Sequence, residues 1–152
     1  MTQRFRTLNV NDDFNHESLR IEIDTSLPAA RVVRTLDELV KLRGAPKRLR
    51  LGNGPEFISA ALKQWALRYG VSLIHIQPGK PTQNAYIERF NRTFREEVLD
   101  QHLFARLDDV REVTYWWMID CNKARSHDSL GGMTPVEHRN KHAESSTFEM
   151  PA

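Results

Sequence analysis

The 152-residue chain has a single cysteine, Cys121, which excludes an internal disulfide and a cysteine-built structural zinc site. It has no long apolar run. The most apolar patch, YWWMI from Tyr115 to Ile119, is far short of the roughly 18 residues that a membrane span needs. No apolar h-region follows the opening MTQRFRTLNV, so no secretory signal is evident and a cytoplasmic location is expected. Repeats, low-complexity segments and a linker that would split the chain are also missing. What remains is ordinary for one globular domain, with 39% hydrophobic and 28% charged residues and enough length for a real core.

The net charge of +2 excludes little, but its distribution is uneven. Arg31 to Arg50 holds seven basic residues against Asp37 and Glu38, and Lys80 to Arg95 holds four against Glu88 alone. Such local excess suits a polyanionic partner, although a solvated helix face gives the same count.

Two period-two stretches, Phe5–Val10 and Leu19–Asp24, flank the polar NDDFNHES and predict a hairpin. Pro28 opens a helix with Val32, Leu36, Leu39 and Val40 on one face, and Gly44 stops it. KRLRL is a short strand. PEFISAALKQWALRYG is a second amphipathic helix with Phe57, Leu62, Trp65 and Ala66 inward, capped by Gly70. VSLIHI is a strand and QPGKPTQN a loop. A long helix is expected from Gln83 to Leu99, with Ile87, Phe90, Phe94 and Val98 on one face. A further helix is expected after a cap at Asp108 or Asp109, and a short helical turn after Thr134–Pro135. The order ββαβαβαα predicts an α/β domain with a mixed sheet.

Three blocks carry a resemblance: NGPEF, PGKPTQNAYIERFNRTFREEVLD and CNKARSHDSLGGMTPVEHR. Together they resemble the catalytic domain of insertion-sequence transposases of the retroviral-integrase type, whose fold is ribonuclease-H-like. The likeness covers nearly the whole chain. It implies DNA cleavage and strand transfer, with three carboxylates holding two Mg²⁺ (or Mn²⁺) ions. One metal activates the nucleophile and the other stabilises the leaving oxygen, so hard oxygen ligands are required.

Laid on that pattern, Glu88 is the retained third acid and metal ligand. Arg92 and Arg95 follow at i+4 and i+7, and Lys80, Gln83 and Asn84 precede it as DNA-contacting candidates. The second acid opens an Asp-Asn-Gly motif, with 35 residues between that Asp and the Glu. That position is Gly52, followed by intact Asn53, Gly54, Pro55, Glu56 and Phe57. A turn glycine would be the plain reading, but the surrounding motif marks the place of a lost Asp. The first acid would lie on a strand preceding FRTLNV, for which only four residues precede Phe5.

The expectation is therefore a ribonuclease-H-like mixed sheet lacking its first, central strand, with residues 1–142 a truncated core and 143–152 a disordered tail. Two exposed edges would face each other unless another segment or chain fills the gap. Asp12 and Asp13 fit a turn role better than a catalytic one, although a residual nuclease using either with Glu88 is a rival. Ser126 and Cys121 depart from the Pro and Tyr of the resembling C-terminal block. His127, Trp116, Trp117 and Cys121 are read as packing residues. The expected partner is DNA, and beyond it a second copy of the chain or an intact transposase. The expected activity is none, because one carboxylate cannot organise two metal ions. The alternative is a non-catalytic DNA-binding or transposase-interfering protein.

Overall fold

The computed structural model describes residues 5–76, 85–102, 104–141 and 147–150. The first hairpin pairs β1 (Arg6–Asp12) with β2 (Ser18–Asp24) in antiparallel register, Arg6 opposite Asp24 and Val10 opposite Arg20. Asp12 organises its turn. The Asp12 Oδ1 accepts from the backbone N–H of Phe14 at 2.9 Å and of Asn15 at 3.1 Å, the short-range bonding expected of an Asp at a turn.

Helix α1 (Ala29–Arg43) follows Pro28 and ends at Gly44, whose φ of 82° suits a residue without a Cβ. Strand β3 (Arg48–Leu51) leads to α2 (Ala60–Tyr69), which starts later than its apolar pattern suggests. The reason is the cap: Ser59 Oγ accepts from the Leu62 N–H at 3.3 Å, and Gly70 closes the other end in the left-handed region. After β4 (Ser72–His75) comes α3 (Ala85–Phe94), which widens into a π turn over Arg95–Leu99 instead of continuing as one regular helix. Helix α4 (Leu107–Lys123) is not preceded by its acidic cap. Asp109 sits inside the first turn and reaches back to accept from the Arg106 N–H at 3.0 Å. A 3₁₀ turn (Asp128–Leu130), α5 (Pro135–Lys141) and β5 (Thr147–Glu149) complete the described chain.

Strand β5 corrects the expectation of a disordered tail. The sheet order is β2-β1-β5-β3-β4, so the C-terminal strand lies in the central slot, antiparallel to β1 and parallel to β3. Asp13 N–H donates to Thr147 O at 3.0 Å, and Met150 N–H to Arg50 O at 2.8 Å. The gap that sequence left between two half-sheets is closed by the chain itself.

Helices cover both faces, and the strands alternate accordingly. One core gathers Leu8, Val10, Leu49, Leu51, Phe148 and Met150 of the sheet under α1 and α2, with Trp65 fully buried. The other sets Ile23 against Ile87, Phe90, Phe94 and Val98 of α3 and its π turn, and against Trp117 of α4. All four of those α3-side residues are the ones the helical spacing put inward.

Phe148 is the side chain that anchors β5 in the first core. Phe148→Ala is expected to cost about 3–5 kcal/mol, a large share of the roughly 5–15 kcal/mol a domain has. Deleting residues 143–152 should abolish cooperative urea unfolding followed by circular dichroism. An unchanged midpoint for either variant would show that the sheet does not depend on β5.

Candidate active site and nucleic-acid interface

The second sheet face is polar at its centre. Alternation places Asn9, Asn11 and Asp13 of the β1 side, Glu149 of β5, and Arg50 and Gly52 of the β3 side on it. Asn9, Asn11 and Glu149 are almost fully buried there, at 2%, 0% and 1% exposure. Helix α3 crosses this face, with Asn9 Nδ2 donating to Asn91 Oδ1. Both polar atoms of the Asn11 side chain, Asn9 Oδ1 and Glu149 Oε1 are buried without a hydrogen-bond partner, which is costly unless water or an ion enters.

Arg50 is the cation of the cluster. Its guanidinium lies 3.2 Å from both Glu149 Oε2 and Asp13 Oδ1. Burial, and then the like charge of Asp13, push the Glu149 carboxyl up to about 7, against the partial relief that Arg50 supplies. Gly52 is buried at the end of β3 on the same face. It is not among the glycines with positive φ, which are Gly44, Gly70, Gly131 and Gly132 among the described residues. A positive φ is therefore not the reason for a glycine here. Asn53 beyond it ties β3 to β4, donating to Ile76 O at 2.6 Å.

Glu88 lies in the first turn of α3, one turn before Asn91 on the same flank, and is exposed. Tyr86 Oη donates to His16 O at 3.2 Å, which places the N-terminus of α3 at the β1–β2 turn. The flank carrying Glu88 thus runs from Asn9 toward the Asn11–Glu149 pair. Arg92 and Arg95 continue that flank outward into solvent, without an ion pair among the described residues. Lys80, Gln83 and Asn84 lie outside the described residues.

The other basic run resolves differently. Arg31 pairs with Glu22 and Asp24, Arg43 with Glu17, and Arg50 with Asp13 and Glu149. Three of its seven cations are thereby neutralised inside the fold. Its other four, Arg34, Lys41, Lys47 and Arg48, stay exposed without an ion pair among the described residues, so free basic surface remains on this run as well as on α3.

Of the residues read as packing, Trp117 and Cys121 are buried and Trp116 is not. Trp117 is buried at 8% exposure against Phe90 and Phe94, while Trp116 is 63% exposed. Cys121 is buried, its thiol pushed up to about 12 by that burial, so it holds its proton at neutral pH. His16, which sequence reading passed over, stacks on Tyr86 with ring centroids 3.9 Å apart. Only its positive φ of 61°, unusual for a residue with a Cβ, marks it, and spacing does not show that.

Two family models described as integrase core domain match residues 1–81 and 69–135, the first over half of the chain. The chain belongs to the integrase core family. An uncharacterized 31.7 kDa protein of insertion element IS407 from Burkholderia multivorans is 45% identical over 150 residues, covering 99% of this chain. The chain spans about half of that relative, 53% of its length. The catalytic core domain of BIV integrase shares the fold with a TM-score of 0.66 at 16% identity, over 93% of this chain and 95% of that one. The HTLV-2 integrase catalytic core domain, in a structure with magnesium, gives 0.62 at 17% identity over 86% and 82%. The resemblance to insertion-sequence proteins of the integrase type and the ribonuclease-H-like architecture both hold.

Among the described residues of this integrase core, the donors on the polar face do not fit a pair of Mg²⁺ ions. Among the described residues no three His, Cys, Asp or Glu side chains come together as a cation cage. Gly52 offers no side-chain oxygen, and a guanidinium stands between the two carboxylates of the polar face. Two ions about 3.5–4 Å apart need bridging oxygen ligands that this arrangement lacks.

The Glu149 carboxyl gives a pH test. An acid whose folded pKa is raised contributes stability below its ordinary 4.5 and loses it as pH rises to about 7. His16 works oppositely: burial, then His127, lower it to about 4, so its contribution is lost as pH falls from 6.5. Glu149→Gln removes only the first effect. The variant is expected to gain on the wild type between pH 4.5 and 7, by up to about 3 kcal/mol at ~1.4 kcal/mol per unit. Urea unfolding at pH 4.5 and pH 8 checks it, and a difference independent of pH would refute it.

Proposed function

We propose that the chain is a DNA-binding integrase core that engages the DNA of an insertion element without catalysing strand transfer. The observation that carries this reading is Gly52 on the polar sheet face. A carboxylate is wanted just before the intact Asn53–Phe57 motif, and no positive φ accounts for the glycine found there. Arg50 then supplies by a fixed cation the charge balance that metal ions would otherwise supply. Positioning and electrostatics provide most of the rate in phosphoryl transfer, so loss of the ligand set removes the chemistry while leaving the fold.

DNA binding falls to the exposed basic flank of α3, Arg92 and Arg95, with Lys80, Gln83 and Asn84 in the segment before it. Contacts of this kind go to phosphate and weaken steeply with salt. Glu88 adds one acid among them, a single carboxylate that would hold a metal ion only weakly. The rival nuclease built on Asp12 or Asp13 is disfavoured. Asp12 is used by two backbone N–H groups and Asp13 by Arg50. A partner chain completing the sheet is not needed where β5 occupies the slot. Self-association or pairing with an intact transposase remains compatible with the family, in which trimeric and dimeric forms of one core are known.

Fluorescence anisotropy with duplex DNA across a salt series tests the binding. Affinity should fall log-linearly with salt, and Arg92→Ala and Arg95→Ala should each lower the slope by about 1. Plasmid incubated with the chain and millimolar Mg²⁺ or Mn²⁺ should stay unnicked. Metal-dependent nicking that disappears in Glu88→Gln would overturn the non-catalytic reading.

A further inference from the structure

A cavity of about 570 Å³ opens between α3, α4 and the loop that follows α4, within the range of small-ligand sites. It lies on a second flank of α3. Tyr86, Arg89, Phe90 and Thr93 share it at i, i+3, i+4 and i+7, apart from the Glu88–Arg92–Arg95 flank. The walls are rings. Phe90 and Trp117 meet with centroids 5.2 Å apart, and Tyr86 stacks with His16, on which His127 stands edge-on at 5.7 Å. Hydroxyls of Ser126 and Ser129 border it, the latter 3.4 Å from His16 Nδ1.

Its charge is one-sided. No carboxylate is among the residues that line it, whereas Arg89, Arg125, His16 and His127 are. Arg125 is already compensated by Glu97 and Asp120. Arg89 pairs with no acid among the described residues. The left-handed backbone of His16 aims its ring onto Tyr86 at a cost in strain, which points to a built surface.

We infer that this cavity binds an unpaired nucleotide, its phosphate on Arg89 and its base against the aromatic wall. Flat π surfaces beside an uncompensated guanidinium fit a base attached to a phosphate better than either alone. In a duplex the base faces are stacked away, so the occupant is a displaced or single-stranded nucleotide. The inference deepens the DNA-binding reading by naming a site for a strand that is not base-paired, and it rests on that reading for its biological setting only.

Isothermal titration calorimetry of the whole chain with dAMP, deoxyadenosine and inorganic phosphate tests it. Saturable binding of dAMP at least tenfold tighter than of either fragment is expected. It should weaken tenfold or more in Arg89→Gln and stay unchanged in Lys63→Gln, a surface control on α2. Thermal melts of each variant confirm the fold. Equal affinity for phosphate and dAMP, no saturable binding of dAMP, or an indifferent Arg89→Gln would overturn the inference. Duplex titrations separate the two readings. Duplex binding without dAMP binding leaves the functional reading and removes the cavity's role. The reverse keeps the cavity and removes the functional reading.

Discussion

Residues 147–150 form the ladder that makes one sheet out of two halves. On one side Glu149 and Phe148 stand opposite Asn11 and Asp12, and on the other Thr147 to Glu149 run beside Arg48 to Arg50. Phe148 and Met150 point into the core beneath α1 and α2, and burial of each contributes about 1.5–3 kcal/mol. The polar face depends on this strand, because Glu149 is held against Arg50 only while β5 is in place.

The two faces of that sheet differ in kind. Under α1 and α2 the alternation is apolar and closed, as an α/β core requires. Under α3 the centre is asparagine, glutamate and arginine, with several polar atoms unpartnered. Such under-satisfied burial is expensive in a structure selected for stability alone, and it concentrates on the sheet face that α3 crosses. At that centre Arg50 stands against the Asp13 and Glu149 carboxylates, and Gly52 contributes no side chain.

Much of this was legible in the chain. The apolar faces of α1 and α3 could be read because a helical period is local: Val32, Leu36 and Leu39, and Ile87, Phe90, Phe94 and Val98, are buried as their spacing requires. The reading of Gly52 as the place of a lost Asp rests on motif spacing, and the structure adds that Gly52 is buried at the end of β3. Strand β5 was not legible. Its alternation spans only Thr147 to Met150, and a central slot is defined by strands far away in sequence. Counting charges along the chain also misled. The partners of Arg31 and Arg43 lie on another strand and in a turn, out of reach of a linear window. The aromatic cavity joins the β1–β2 turn to α3 and the loop after α4, a meeting that periodicity does not encode.

Placing the C-terminal strand at the centre of the sheet fixes the order in which the chain can be finished. During synthesis β1, β2, β3 and β4 emerge while the slot between β1 and β3 stands open, and both edges carry unpaired backbone groups. Closure waits for residues 147–150 to leave the ribosome and return across contacts of long sequence separation, which is slow by its loop-closure entropy. The half-built chain therefore spends its vulnerable interval with two adhesive edges, and chaperone dependence and yield should be governed by that interval more than by the depth of the finished core.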